Sequence, residues 1–191
     1  MGGPSRKLSN SVLQLKITLL YVDPPIWRRI LVPASFALPR LHRVFQEVMG
    51  WQDSHLHAFD IKDKCYVMSG IDDWGDFPDD IIEDGIRIAN LLDVGDTFLY
   101  RYDYGDGWEH LVVLEAISSV DSALLHAVCL GGERACPPED VGGTPGYQYF
   151  LEAIGDVSHE EHEDYLVWAG GSFDPEAFNL ALANVGLQRV R

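Results

Sequence analysis

His55 and His57 stand two residues apart in a stretch, 55–61, whose alternation places His55, His57, Phe59 and Ile61 on one face of a strand. Two imidazoles at that spacing can share a metal ion. A second source of donors is the segment Tyr100–His110, the densest run of aromatic and acidic side chains in the chain. Asp106-Gly107 between the β-prone arms Thr97–Tyr104 and Trp108–Ala116 is a strong hairpin signal. If these two residues form the loop, Tyr104 opposes Glu109 and Asp103 opposes His110. The carboxylate would then raise the proton affinity of the imidazole, or fix its tautomer for a metal. If Gly105-Asp106 is the loop instead, Asp103 opposes Trp108 and the pairing disappears. In the first register His55, His57, Asp103 and His110 are expected to converge on one side of the sheet. If they meet on an open cleft, they are candidate ligands for a divalent metal in a metal-dependent hydrolase; if they meet buried and hydrogen-bonded, they are structural.

A simpler use of the same hairpin is recognition. Tyr102, Asp103, Asp106, Trp108 and Glu109 offer ring faces and carboxylates to a protein or a small ligand. A solvated Gly-Asp-Gly turn is simpler again, and Phe59 and Ile61 beside the histidines equally suit a core. No cofactor is named by the sequence. A divalent metal is a candidate that ranks below ligand binding.

Other constellations give weaker chemistry. Cys129, Cys136, His159 and His162 have C-x6-C and H-x2-H spacings, outside the usual zinc patterns. Cys136-Pro137-Pro138-Glu139-Asp140 is a stiff turn leading to a helix start, where an anion would meet two carboxylates, and those acids oppose thiolate formation at Cys136. Arg28, Arg29, Arg40 and Arg43 make the first third basic and form the one candidate nucleic-acid contact. On a strand, however, Arg28 and Arg29 point to opposite faces.

The elements that must position these residues are legible. Residues 12–21 alternate as a half-buried strand, Asp23-Pro24-Pro25 turns the chain, and 26–32 return as a second strand closed by Pro33. Pro39, the stripe Leu41, Val44, Phe45, Val48 and Met49, and Gly50 describe a helix with its stop. The run from Ser69 to Asp84 reads as a long acidic loop tacked down by Trp74 and Phe77, followed by a short helical turn near Ile88–Leu92. Towards the C-terminus, Thr144-Pro145 is expected to open a helix. Ser158-x-x-Glu161 reads as a capping box, and Asp174-Pro175 opens a last helix with Phe173 stapled to Phe178. Strands first and helices last mean an α+β fold, an antiparallel or mixed sheet with a helical C-terminal third packed on it. Residues 1–10 are read as a loose tail and 11–191 as a single domain.

The formal charge of −16 is unevenly spread, +5 over residues 1–50 and −21 over the remainder. Such a balance disfavours generic binding to phosphate backbones. An odd number of cysteines without a C-x-x-C pair suits a reducing compartment, so the expected location is cytoplasmic. No apolar run is long enough to span a bilayer.

Seven strings in order, PPIWRRILVP (24–33), LHRVFQEVMGW (41–51), SHLHAF (54–59), VGDTFLYRYDYGDGWEH (94–110), CLGGERACPPEDVGG (129–143), HEEHEDY (159–165) and FDPEAF (173–178), resemble the plasmid ORF-three-like family. Its members are often labelled insertion-element passenger proteins with a resolvase-like tag. The resemblance covers residues 12–186. It implies a stand-alone α+β fold and an association with mobile DNA, and it carries over no catalytic residue. The resolvase tag implies an arginine-rich serine site and a basic helix-turn-helix, whereas the C-terminal part here is strongly acidic. The favoured reading is a mobile-element accessory domain that binds a protein or small ligand through the acidic-aromatic hairpin. The alternatives are the metal-dependent hydrolase and a DNA-associated recombination accessory factor acting through the basic first third.

Overall fold

Leu13, Leu15, Ile17 and Leu19 are all buried, while Gln14, Lys16 and Thr18 between them keep contact with solvent. That alternation is the period of a strand with one dry face, and it organises the molecule. The computed structural model describes residues 10–70 and 79–190. Along it lie β1 (Ser11–Leu19), β2 (Trp27–Pro33), α1 (Leu38–Met49), β3 (His57–Ile61), β4 (Lys64–Val67), β5 (Ile81–Ile82), a 3-10 turn (Ile88–Asn90), β6 (Thr97–Tyr102), β7 (Trp108–Ser119), β8 (Val128–Glu133), α2 (Gly143–Gly155), α3 (His162–Trp168) and α4 (Leu180–Leu187). The strands form one sheet in the order β5-β4-β3-β6-β7-β1-β2-β8. Its pairings are antiparallel except for the parallel β4–β5 edge. The fold is α+β with a mixed sheet.

Helix α1 lays Leu41, Val44, Phe45 and Val48 on the dry face, where Phe45 meets the rings of Phe59 and Tyr100. Each such fully buried side chain contributes about 1.5–3 kcal/mol. Gly50 ends the helix in the left-handed conformation at φ 98°, as the sequence suggests. The opposite face carries ion pairs instead. Glu115, the extra residue of a bulge in β7 opposite β1, accepts from both Arg29 and Gln14, and Arg101 pairs with Asp60.

Several expectations need correction. The β6–β7 hairpin has neither of the two-residue registers: Tyr102 opposes Trp108 and Tyr100 opposes His110, leaving a five-residue turn, Asp103–Gly107. Its closure is the bond from Gly107 N–H to Asp103 O, one helical turn inserted between strands. Asp103 therefore faces neither His110 nor Trp108. His55 precedes β3 rather than belonging to it. Helix α2 starts at Gly143 without a side-chain cap from Thr144. Ser158 bonds Asp156 rather than closing a capping box, and α3 begins only at His162. The last helix is opened by Asn179, whose side chain accepts from Leu182 N–H, while Asp174 holds a turn before it. Half of the expected 69–84 loop, residues 71–78 with Trp74 and Phe77, lies outside the described residues, as do residues 1–9 of the expected tail. The end of that loop adds β5. Strands β4 and β8 are further additions. The exposed edge of β8 is closed by Asn184, whose amide accepts from Cys129 N–H and donates to Cys129 O, occupying groups that would otherwise recruit another strand.

Candidate functional site

The register of β3 on β6 explains how the candidate site forms. His57 opposes Tyr102, and the pairing runs one step further through Asp103 N–H to Leu56 O. His55 thus falls beyond the end of its strand, beside Asp103, which lies just beyond the end of β6. Asp103 adopts φ 54°, a left-handed conformation that aspartate tolerates better than most residues. Its Oδ1 accepts from Gly105 and Asp106 N–H, an Asx turn that fixes the carboxylate and leaves Oδ2 directed at His55.

The third element is the loop 137–142, stiffened by Pro137-Pro138 and laid across this end of the sheet. Trp51 Nε1 donates to Pro137 O. Glu139 Oε1 accepts from the Tyr102 hydroxyl and from Gln52 N–H, and that hydroxyl in turn accepts from Ser54 N–H. Gly142 N–H donates to Asp106 Oδ2. Gly143 sits against the turn so closely that a Cβ would lie 2.3 Å from Asp106 O, and its φ is +67°. Two loops are thereby locked together with four polar side chains between them. His55 Nε2 lies 3.1 Å from Asp140 Oδ1, 3.5 Å from Asp103 Oδ2 and 3.8 Å from Glu139 Oε2. His55, Asp103 and Asp140 each offer a ligand atom within 4.8 Å of the other two, the one such group among the described residues.

The remaining candidates go elsewhere. His57 is buried, its Nε2 3.2 Å from both oxygens of Glu83 and its ring stacked on His42 at 3.5 Å between centroids and 4° between planes. His110 is fully buried, bonds Tyr100 O through Nδ1, and stands edge-on to Trp51. The expected four-residue set is therefore split: His55 and Asp103 meet, while His57 and His110 serve the core. Trp108 is buried in the same core, and Glu109 accepts from Tyr21. Sequence reasoning missed Glu139 and Asp140 as partners of His55. Their signal is the Pro137-Pro138 pair, which marks a loop held rigidly enough to place the two acids after it.

Sequence reasoning also missed a buried chain of polar groups through His42. Its Nε2 lies 2.6 Å from Asp53 Oδ1 and its Nδ1 2.7 Å from the Tyr100 hydroxyl, which also accepts from Gln46. Burial, reinforced by neighbouring His57, pushes His42 down to about 4, so the ring is neutral at pH 7. A carboxylate only accepts, so Nε2 carries the hydrogen and Tyr100 donates to Nδ1.

The other constellations are structural. Burial pushes the Cys136 thiol up, with Glu139 adding to the effect, which disfavours the thiolate that a nucleophile needs. Cys129 donates to Gly131 O and His162 Nδ1 bonds Ala153 O. Arg28 is buried, giving its guanidinium to the carbonyls of Trp27, Val48, Glu133 and Arg134 under the ring of Phe178. Arg29 pairs with Glu115, and Arg40 bonds the carbonyls of Leu125 and Val190. No helix among the described residues is long and apolar enough to cross a membrane.

Residues 11–182 match the model of the plasmid pRiA4b ORF-3-like protein family. The chain is 42% identical over 183 residues to the uncharacterized protein y4hQ of Sinorhizobium fredii (strain NBRC 101917 / NGR234), covering 91% of this chain and 89% of that one. A crystal structure of MM3350, a protein of unknown function from Methanosarcina mazei Go1, shares the fold with a TM-score of 0.82. The sequences are 34% identical, and the match covers 90% of this chain and 97% of that one. Neither relative is named for an activity. The match over nearly the whole sequence, together with the shared fold, makes this chain a member of the plasmid pRiA4b ORF-3-like family.

Proposed function

We propose that the protein is a binding domain, carried as an accessory function of mobile elements, whose partner presents a cationic side chain. The observation that carries this reading is a groove of about 320 Å³ beside the locked loops, lined by Asp140, Val141, Glu161, Asp164, Tyr165 and Trp168. Carboxylates next to aromatic faces suit a guanidinium or ammonium group, which gains both ion pairing and cation–π attraction. Trp168 is 47% exposed and Val167 is 75% exposed on the same short helix, α3, giving a partner apolar surface to cover. The expected hairpin residues Tyr102, Asp103, Asp106, Trp108 and Glu109 are not among those lining this groove, which neighbours the 103–107 turn through the bond from Gly142 N–H to Asp106 Oδ2.

The nucleic-acid reading draws no support from Arg28, Arg29 and Arg40, whose guanidinium groups are engaged by backbone carbonyls or, for Arg29, by Glu115. The plasmid in the family description supports the mobile-element association. Titrating the protein with a short arginine-containing peptide, followed by tryptophan fluorescence, tests the proposal. Saturable quenching is expected, weakened several-fold by Glu161→Gln with Asp164→Asn and absent for the citrulline peptide. Equal response to both peptides would refute it.

A further inference from the structure

We infer that His55, Asp103 and Asp140, with Glu139 beside them, form a binding site for one divalent transition-metal ion. Two ligands each about 2.0–2.2 Å from an ion stand roughly 3.0–3.5 Å apart at the angles of octahedral or tetrahedral coordination. His55 Nε2 lies 3.1 Å from Asp140 Oδ1 and 3.5 Å from Asp103 Oδ2, both in that range.

The polar atoms here lack the partners that a finished structural network would give them. His55 Nε2 is buried and makes no hydrogen bond despite its short distance to Asp140, because the direction is wrong for an N–H donor. Glu139 Oε2 is likewise buried and without a bond, although Oε1 of the same carboxylate accepts two. The Asp103 side chain is only 7% exposed, and its Oδ2 faces the same point. Buried polar groups are normally satisfied, and leaving them bare is costly. An ion between them would satisfy them together.

Charge gives the same answer. Among the described residues the ion pairs of Asp103, Glu139 and Asp140 are all with one imidazole, so the formal charge stays negative even if His55 is protonated. The rigid supports are also in place, through the Asx turn at Asp103 and the anchoring of Glu139 by Tyr102 and Gln52. One nitrogen with carboxylate oxygens favours zinc or manganese over magnesium or calcium, which prefer oxygen alone. Asp140, 72% exposed, forms the open side.

The test is calorimetric titration of chelator-treated protein with zinc, manganese and magnesium salts. One equivalent of zinc should bind, more tightly than manganese, with magnesium weakest. His55→Gln should weaken zinc at least tenfold and magnesium little, whereas Asp140→Asn should weaken all three. Asp140 is exposed enough for that second variant to fold, which circular dichroism verifies. Glu161→Gln with Asp164→Asn, which disables the neighbouring groove, should leave zinc affinity unchanged and so separates this site from the peptide site. No heat with zinc up to millimolar concentration would overturn the inference. So would zinc binding that both His55→Gln and Asp140→Asn leave intact, which would place the ion on other histidines.

Discussion

His55 Nε2 meets Asp103 Oδ2 at 3.5 Å although they are far apart in the sequence and neither lies in a strand. The contact follows from register: His57 opposite Tyr102 ends the ladder just short of both residues. The 103–107 turn then folds Asp103 back instead of letting β6 continue. The sheet end thus positions both residues, and the loop 137–142 brings Glu139 and Asp140 to the same imidazole.

The first prediction concerns pH. Burial holds His42 and His110 each at about 4 in the folded protein, against about 6.5 when unfolded. Their contribution to stability is complete above about pH 6.5 and is lost as the pH falls from there towards 4. The slope is up to about 1.4 kcal/mol per pH unit for each group. Urea denaturation at pH 7.5, 6, 5 and 4 should show it, and His110→Phe should flatten it. A curve unchanged in His110→Phe would contradict this assignment.

Gly143 is the second test. Its φ is left-handed, and a Cβ added there would stand 2.3 Å from Asp106 O, which leaves no room for a side chain. Gly143→Ala should destabilise the protein by about 2–4 kcal/mol. It should also weaken metal binding, because the loop carrying Asp140 must move away from the turn. A melting temperature within about one degree of the parent, against the several degrees that such a loss implies, would refute the close approach.

The first hairpin of the sheet, α1 with its glycine stop and the β6–β7 pair are legible in the sequence, because each has a clean period and a terminating residue. The site is only half legible. His55 and Asp103 stand out as donors, but the sequence brings them together only through a two-residue loop that does not exist. An Asp-Gly pair signals a tight turn, yet here Asp103 takes the left-handed conformation and its carboxylate organises a longer one. The burial of His57 and His110 is hidden for a different reason. A histidine on an apolar strand face reads alike as ligand or core, and only partners distant in sequence, Glu83 and Trp51, decide which. Glu139 and Asp140 read as no more than the acids of a stiff turn, because nothing local indicates that their loop crosses the sheet end.

Arg28 supplies the third prediction. It satisfies four backbone carbonyls in a buried position, and burial lowers its own proton affinity. Arg28→Ala should cost about 3 kcal/mol or more by stranding those acceptors. By contrast, Arg29→Ala, which breaks a partly exposed pair with Glu115, should cost roughly 1 kcal/mol or less. Neither parent nor Arg29→Ala should shift duplex DNA at physiological salt. Tight, salt-dependent binding lost in Arg29→Ala would restore the nucleic-acid reading.

The thiols give the fourth. Burial pushes Cys65 up to about 12 and raises Cys129 and Cys136 as well, so all three should react slowly with a thiol reagent at pH 8 until the protein is unfolded. Cys136→Ala should leave zinc stoichiometry unchanged. Zinc lost together with Cys136 would instead implicate the cysteines as ligands.

The most direct measurement is anomalous diffraction from a zinc-soaked crystal, recorded on both sides of the zinc edge. One strong anomalous peak is expected about 2.0–2.3 Å from His55 Nε2 and from carboxylate oxygens of Asp103 and Asp140. A map with no peak there, or with its strongest peak at His159 or His162, would contradict the metal site.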